Sequence, residues 1–217
     1  MLSIEICGDD TLSVTIKDPD RRRSAAAHLR ELDTWRECVE GTQSVVVQFD
    51  AATTSIDAAS ERLRQQLESA TSQSTELSSL IEIPVCYSGE FGPELDSICE
   101  MLGLAVDELI ELHTSHEYRV DLLGFTPGFA YVGGLANELD VPRLTEPRQL
   151  VPAGSVGIAG GRTGLYALAG PGGWPLIGRT PMSLFDAAEP QPFLLLAGMR
   201  VRFTAIDEKS YRRMVTK

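Results

Sequence analysis

Gly124-Phe125-Thr126-Pro127-Gly128-Phe129-Ala130-Tyr131 opens the stretch whose reading decides the fold. It runs on through Val151-Pro152-Ala153-Gly154-Ser155-Val156-Gly157-Ile158-Ala159-Gly160-Gly161. It closes with Gly170-Pro171-Gly172-Gly173-Trp174 and Gly178-Arg179-Thr180-Pro181. Residues 124–181 hold thirteen of the chain's 19 glycines and seven of its 12 prolines. Glycine permits backbone angles other residues avoid, and proline fixes φ and removes a donor. Such a segment cannot be a long helix; it reads as short strands joined by tight turns. It also carries Arg143, Arg148, Arg162 and Arg179 against Glu138, Asp140 and Glu146, a slight positive excess in a chain of formal charge −12.

The flanks extend the same picture. Upstream, Leu80 to Tyr87 reads as a strand that Pro84 pushes to an edge. Leu95, Ile98, Cys99 and Leu102 form a helical stripe ending at Gly103, and Val106, Leu109, Ile110 and His113 form another. Ala105 stands where a capping side chain belongs, so the second helix is expected to fray at its start. Tyr118 to Leu123 leads into the glycine-rich segment as a strand. Downstream, Phe193 to Leu196 and Met199 to Ala205 read as two final strands. Many short strands and few helices point to a closed β-barrel, which also removes exposed edges.

The first 79 residues read differently. Leu2, Ile4 and Ile6, then Leu12, Val14 and Ile16, alternate with polar neighbours around Asp9-Asp10, as in a hairpin. Ser24 is expected to cap a helix with Leu29, Leu32, Trp35 and Val39 on one face, ending at Gly41. Val45 to Phe49 is a strand, and Ile56, Ala59, Leu63 and Leu67 mark a second helix. The Ser/Thr-rich run from Ala70 to Ser79 reads as a linker. The expected organisation is α+β: a small ββαβα sandwich over residues 1–79, then a barrel over residues 80–217.

The 217 residues have 43% apolar and 23% charged content, as in an ordinary globular protein. The net negative charge argues against nucleic acid, because no basic field exists to meet phosphates. No run approaches the roughly 18 apolar residues of a membrane span. Met1-Leu2-Ser3-Ile4-Glu5 has neither the basic start nor the apolar core of a signal peptide. Cys7, Cys38, Cys86 and Cys99 are widely spaced, so reduced thiols in a cytoplasmic protein are expected.

Familiar catalytic signatures fail on inspection. Gly160-Gly161-Arg162-Thr163-Gly164 lacks the spacing and the lysine of a P-loop. Gly154-Ser155-Val156-Gly157 is not a nucleophile elbow, so Ser155 reads as a turn residue. His113 and His116 have no cysteine or carboxylate cluster to complete a metal site. His113 itself has two readings: a core-facing helix histidine, or a polar group aimed at the barrel mouth. Arg143, Arg148 and Arg179 lie beside prolines or in rigid turns, where a guanidinium is held ready for a carboxylate. The bland alternative is that they only brace those turns. Phe125, Phe129 and Trp174 read as barrel core or pocket lining.

The segments GFTPGFAYVGGL, VPAGSVGIAGGRTGLYALAGPGGWPLIGRTP and LHTSHEYRV resemble the family of KipI and the 5-oxoprolinase B subunits, also called the allophanate hydrolase subunit 1 family. The likeness runs from Gly8 to about Ile206. It implies a small N-terminal α/β sandwich and a C-terminal cyclophilin-like β-barrel. It implies the B component of an ATP-dependent 5-oxoprolinase, working with the A subunit and with the C subunit, a second cyclophilin-like chain. Other members are KipI-type inhibitors of a sensor histidine kinase, or halves of the biotin-dependent carboxyltransferase of urea carboxylase. ATP is then expected on a partner, and any biotin elsewhere, because no Met-Lys-Met attachment motif is present. The resemblance brings forward His113 as catalytic and Phe125, Pro127, Gly128, Arg143, Arg148 and Arg179 as substrate-binding. The chain departs from the family pattern at His116, Arg162, Ala167 and Pro175. The Trp174-Pro175 pair also raises the expectation of a cis bond.

Overall fold

A computed structural model describes residues 3–69 and 80–215. The chain divides into two compact units, residues 1–76 and 77–217. The expected linker, residues 70–79, lies outside the described residues.

The first unit contains β1 (Ile4–Ile6), β2 (Thr11–Thr15), α1 (Pro19–Glu31), β3 (Glu37–Glu40), β4 (Ser44–Gln48) and α2 (Ile56–Ser69). The sheet is antiparallel, in the order β1-β2-β4-β3. Period-two alternation sends Leu12 and Val14 of β2 and Val45 and Val47 of β4 to one buried face. Ala25, Ala26 and Leu29 of α1 and Ala59, Leu63 and Leu67 of α2 pack on that face.

One helix differs from expectation. It starts at Pro19, not after Ser24, because the Asp18 carboxylate accepts from Arg21 N–H at 2.7 Å and proline suits the first helical position. It stops at Glu31, and Asp33 turns the chain with φ +46°. Residues 37–40 then form β3 instead of a last helical turn, so the order is ββαββα. Trp35 still reaches the core, donating from Nε1 to Gln66 Oε1 at 2.9 Å.

The second unit contains β5 (Leu80–Val85), α3 (Leu95–Leu102), α4 (Val106–Thr114), β6 (Tyr118–Leu123) and β7 (Ala130–Gly133). It continues with β8 (Arg148–Val151), β9 (Ser155–Ala159), β10 (Arg162–Leu165), β11 (Gly170–Gly172), β12 (Leu176–Arg179), β13 (Arg200–Ala205) and α5 (Glu208–Val215). Seven strands pair in the order β12-β9-β10-β7-β6-β13-β5, and β8 and β11 form a separate ribbon. Neighbours pair antiparallel except β13 and β5, which are parallel.

The sheet nearly closes into a barrel. Cys86, just past β5, exchanges two backbone hydrogen bonds with Arg179 of β12, at 2.9 and 3.0 Å. Gly178 makes that approach possible: a Cβ there would sit 2.5 Å from Val85 Cγ1 and 2.8 Å from the Cys86 carbonyl. Pro84 lies on β5, the end strand, as its missing donor requires.

Gly160 and Gly161 form the two-residue turn between β9 and β10, with φ of +55° and +70°. Positive φ at both central residues is what the tightest hairpin turns demand. Three local expectations are corrected. The α4 start keeps half a capping box, since Ala105 N–H donates to Glu108 Oε2 at 2.7 Å. Phe193 makes only an isolated bridge with Phe185, so 193–196 is no strand. Among the described residues no peptide bond is cis, Trp174-Pro175 included. Past β13, Asp207 Oδ1 accepts from Ser210 N–H at 2.7 Å and starts α5, a helix that the periodicity does not reveal.

Candidate functional site

An aromatic cleft opens beside the barrel wall. It has a volume of about 330 Å³ and is lined by Phe125, Phe129, Tyr131, Arg143, Tyr166 and Trp174, with the backbone of Gly172 and Gly173. Phe129 and Tyr131 stand two apart along the chain leading into β7, so both point to the same face. Beneath them lies a second apolar cluster of Phe129, Val151, Ala159, Tyr166, Trp174 and Leu176, distinct from the barrel's main core. The rings meet edge to face: Phe129 with Tyr131 at 4.8 Å, with Tyr166 at 4.9 Å and with Trp174 at 6.1 Å. Gly164 of β10 makes room for this stack. A Cβ there would lie 2.9 Å from both Phe129 Cζ and Trp174 Cε3.

Arg143 is the cation of the cleft. Its guanidinium carbon lies 5.8 Å from the centroid of the Trp174 ring, a cation–π distance. The loop that carries it is held at both sides, by Leu144 N–H donating to Gly173 O at 2.8 Å and Gly160 N–H donating to Val141 O at 3.1 Å. The Arg143 side chain is exposed and has no carboxylate partner among the described residues. Burial raises the pKa of the Tyr166 phenol, so it stays protonated beside this cation.

Phe125 also lines the cleft. It is 63% exposed and takes φ +73°, a left-handed angle that a bulky side chain adopts only under constraint. The constraint is the turn around Thr126, Pro127 and Gly128. Phe129 N–H donates to Thr126 O, and Gly124 N–H donates to Phe129 O, both at 3.1 Å. The Phe125 ring meets Phe129 edge-on at 5.7 Å.

The other residues singled out from the sequence stand outside this cleft. Pro127 and Gly128 build the turn and do not line the cavity. Arg148 pairs with Glu94, whose second oxygen accepts from Leu176 N–H at 2.8 Å. Arg179 sits at the barrel seam with its guanidinium carbon 5.5 Å from the Phe91 centroid. Arg162 pairs with Asp121 at 3.0 Å. Ser155 is no turn residue; it begins β9 and is fully buried.

His113 belongs to the core and not to a mouth. It is 0% exposed, with Nδ1 2.7 Å from Tyr87 Oη and Nε2 3.0 Å from Thr163 Oγ1. Its ring stacks on Phe203 at 4.4 Å. Burial, aided by His116, lowers its pKa to about 3, so it is neutral. Of the expected site residues, then, the fold brings together Phe125 and Arg143 alone. Tyr131 and Tyr166 are not singled out by the sequence reading, although the spacing of Tyr131 from Phe129 carries the signal for one of them.

Comparison with known proteins gives a consistent result. The family model described as carboxyltransferase domain, subdomain C and D, matches residues 2–195. The 5-oxoprolinase B subunit of Escherichia coli O157:H7 is 44% identical over 196 residues, 90% of this chain and 89% of that one. The 5-oxoprolinase B subunit of Bacillus subtilis is 51% identical over 132 residues, a match that spans 61% of this chain and 55% of that relative. A conserved uncharacterized protein from Pyrococcus horikoshii has a crystal structure at TM-score 0.60 and 39% identity, with 96% and 100% of the two chains covered. The Kluyveromyces lactis urea carboxylase shares the fold, at TM-score 0.76 and 16% identity, over 99% of this chain and 22% of that one.

Proposed function

The chain belongs to the family of carboxyltransferase subdomains C and D that contains the 5-oxoprolinase B subunits, and from that premise we propose that it is the B subunit of an ATP-dependent 5-oxoprolinase. The reaction opens 5-oxo-L-proline to L-glutamate, with the A and C subunits as partners. The observation that carries this reading is the 44% identity over 90% of the chain to a 5-oxoprolinase B subunit.

The chemistry of the chain suits a component that binds and positions better than one that acts alone. His113 is a neutral, doubly hydrogen-bonded core residue, and Ser155 is buried, so neither offers a nucleophile–base pair. The sequence carries no P-loop motif of the form GxxxxGKS or GxxxxGKT, and ATP is assigned in this reading to a partner. The aromatic cleft with Arg143 is the chain's own contribution to the assembled site.

The test is reconstitution. The purified chain, mixed with the cognate A and C subunits, should release glutamate from 5-oxoproline in an ATP-dependent manner. The chain alone should release none. Turnover by the chain alone, or none by a co-eluting ternary complex supplied with ATP, would overturn the proposal.

A further inference from the structure

We propose that the aromatic cleft is a receptor for a small cyclic carboxylate, with the carboxylate on Arg143 and the ring between Phe125 and the aromatic wall. The proposal rests on the 5-oxoprolinase reading only for the choice of probe. Its geometry is the chain's own.

Three observations converge on it. The first is the guanidinium of Arg143. Arg148 and Arg162 each already hold a carboxylate, and Arg179 is half-buried against Phe91 outside the cleft, whereas Arg143 lines the cleft, is exposed beside Trp174 and has no carboxylate partner among the described residues. A guanidinium offers two parallel N–H bonds that match a carboxylate, and one face packed on an indole leaves that edge free. In a chain of net charge −12, such a cation attracts an anion that the rest of the surface repels.

The second is the shape of the cavity. At about 330 Å³ it falls at the small end of ligand sites, which run from roughly 300 to 1,000 Å³. Its walls are ring faces and edges, and its polar groups are few. Such a lining accepts a compact ring and fixes its orientation through one charged contact.

The third is Phe125. An exposed aromatic residue in a left-handed conformation gains nothing for stability that glycine would not give more cheaply. Its ring extends over the cleft, in contact with Phe129 but with most of its surface free. A ligand ring lying in the cleft would cover that surface. Phe125 is thus assigned as the residue that sets how large and how flat a ring is admitted.

The experiment uses the full chain and two probes, 5-oxo-L-proline and 2-pyrrolidinone, which has the same ring without the carboxylate. Binding is measured by saturation-transfer NMR and calorimetry, alongside thermal unfolding. The wild type should bind 5-oxoproline saturably and 2-pyrrolidinone at least tenfold more weakly. Arg143→Ala should weaken 5-oxoproline by tenfold to a hundredfold and remove the preference between the probes, with Tm unchanged. Arg143→Lys should recover only part of the loss. Phe125→Gly should weaken both probes while Tm stays equal or rises, the reverse of what a packing residue does.

No saturable binding at millimolar concentration, equal binding of both probes by the wild type, or binding that neither variant changes, overturns the receptor. The 5-oxoprolinase reading is scored separately, by turnover in the ternary complex. Arg143-dependent binding without turnover would sink that reading and keep the cleft. Turnover in the ternary complex with no saturable binding of 5-oxoproline by the chain would do the opposite.

Discussion

The Oη of Tyr87 lies 2.7 Å from Nδ1 of His113, in the closed interior of the barrel unit. The contact holds an imidazole that folding keeps neutral, with a pKa lowered to about 3 by burial. In the unfolded chain the same group takes a proton near pH 6.5. A base with a depressed folded pKa contributes its full stability above the unfolded value and loses it as pH falls, by about 1.4 kcal/mol per pH unit. The chain should therefore lose about 2 kcal/mol from this group between pH 6.5 and 5. Urea unfolding of wild type and His113→Gln at the two pH values checks it. The variant is less stable at pH 7 but should have the shallower acid slope, and identical slopes would count against the assignment.

Gly178 should not tolerate alanine. The added methyl would meet Val85 and the Cys86 carbonyl at the bridge that joins the two ends of the sheet. Overpacking of this kind costs typically 1–3 kcal/mol. A fall in Tm, with hydrogen exchange accelerated at Cys86 and Arg179, is the expected result.

Glu94 and Arg148 make a contrasting pair of sites. Glu94→Ala strands both Arg148 and the buried Leu176 N–H, and should cost about 1–3 kcal/mol. Arg148→Lys keeps a charge beside Glu94 and should cost less than about 1 kcal/mol. Neither should alter 5-oxoproline binding by the folded chain, which calorimetry would show. A binding defect in Arg148→Lys at wild-type stability would move Arg148 into the site.

Gly164→Ala probes the floor of the cleft. Its methyl would press on Phe129 and Trp174 from the strand below. Lower Tm, altered Trp174 fluorescence and weaker ligand binding are expected together.

These residues also show what sequence can and cannot reveal. The glycine and proline pattern is enough for the barrel, because Gly160-Gly161 and Gly178 answer local demands of turn and contact. The α1 boundary is misleading in sequence because Leu29, Leu32 and Trp35 keep helical spacing across the break at Asp33. Four residues of β3 alternate too briefly to outweigh that stripe. At the site, Phe125 and Arg143 are visible through their turns. What sets Arg143 apart from Arg148 and Arg179 is the partner each meets: Trp174, Glu94 and Phe91, all of them distant along the chain. His113 is ambiguous for the same reason, since Tyr87 and Thr163 reach it from 26 positions before and 50 after.

The parallel pairing of β5 with β13 sets the direction of traffic through the barrel. Leu80 stands opposite Arg200 and Val85 opposite Ala205, so the first and last strands begin at one rim and finish at the other. At about 3.3 Å per residue, six residues carry the last strand's exit roughly 20 Å from the first strand's entry. A barrel whose first and last strands paired antiparallel would return the chain to its starting rim. This one takes the chain in at one rim with β5 and releases it from the opposite rim with β13.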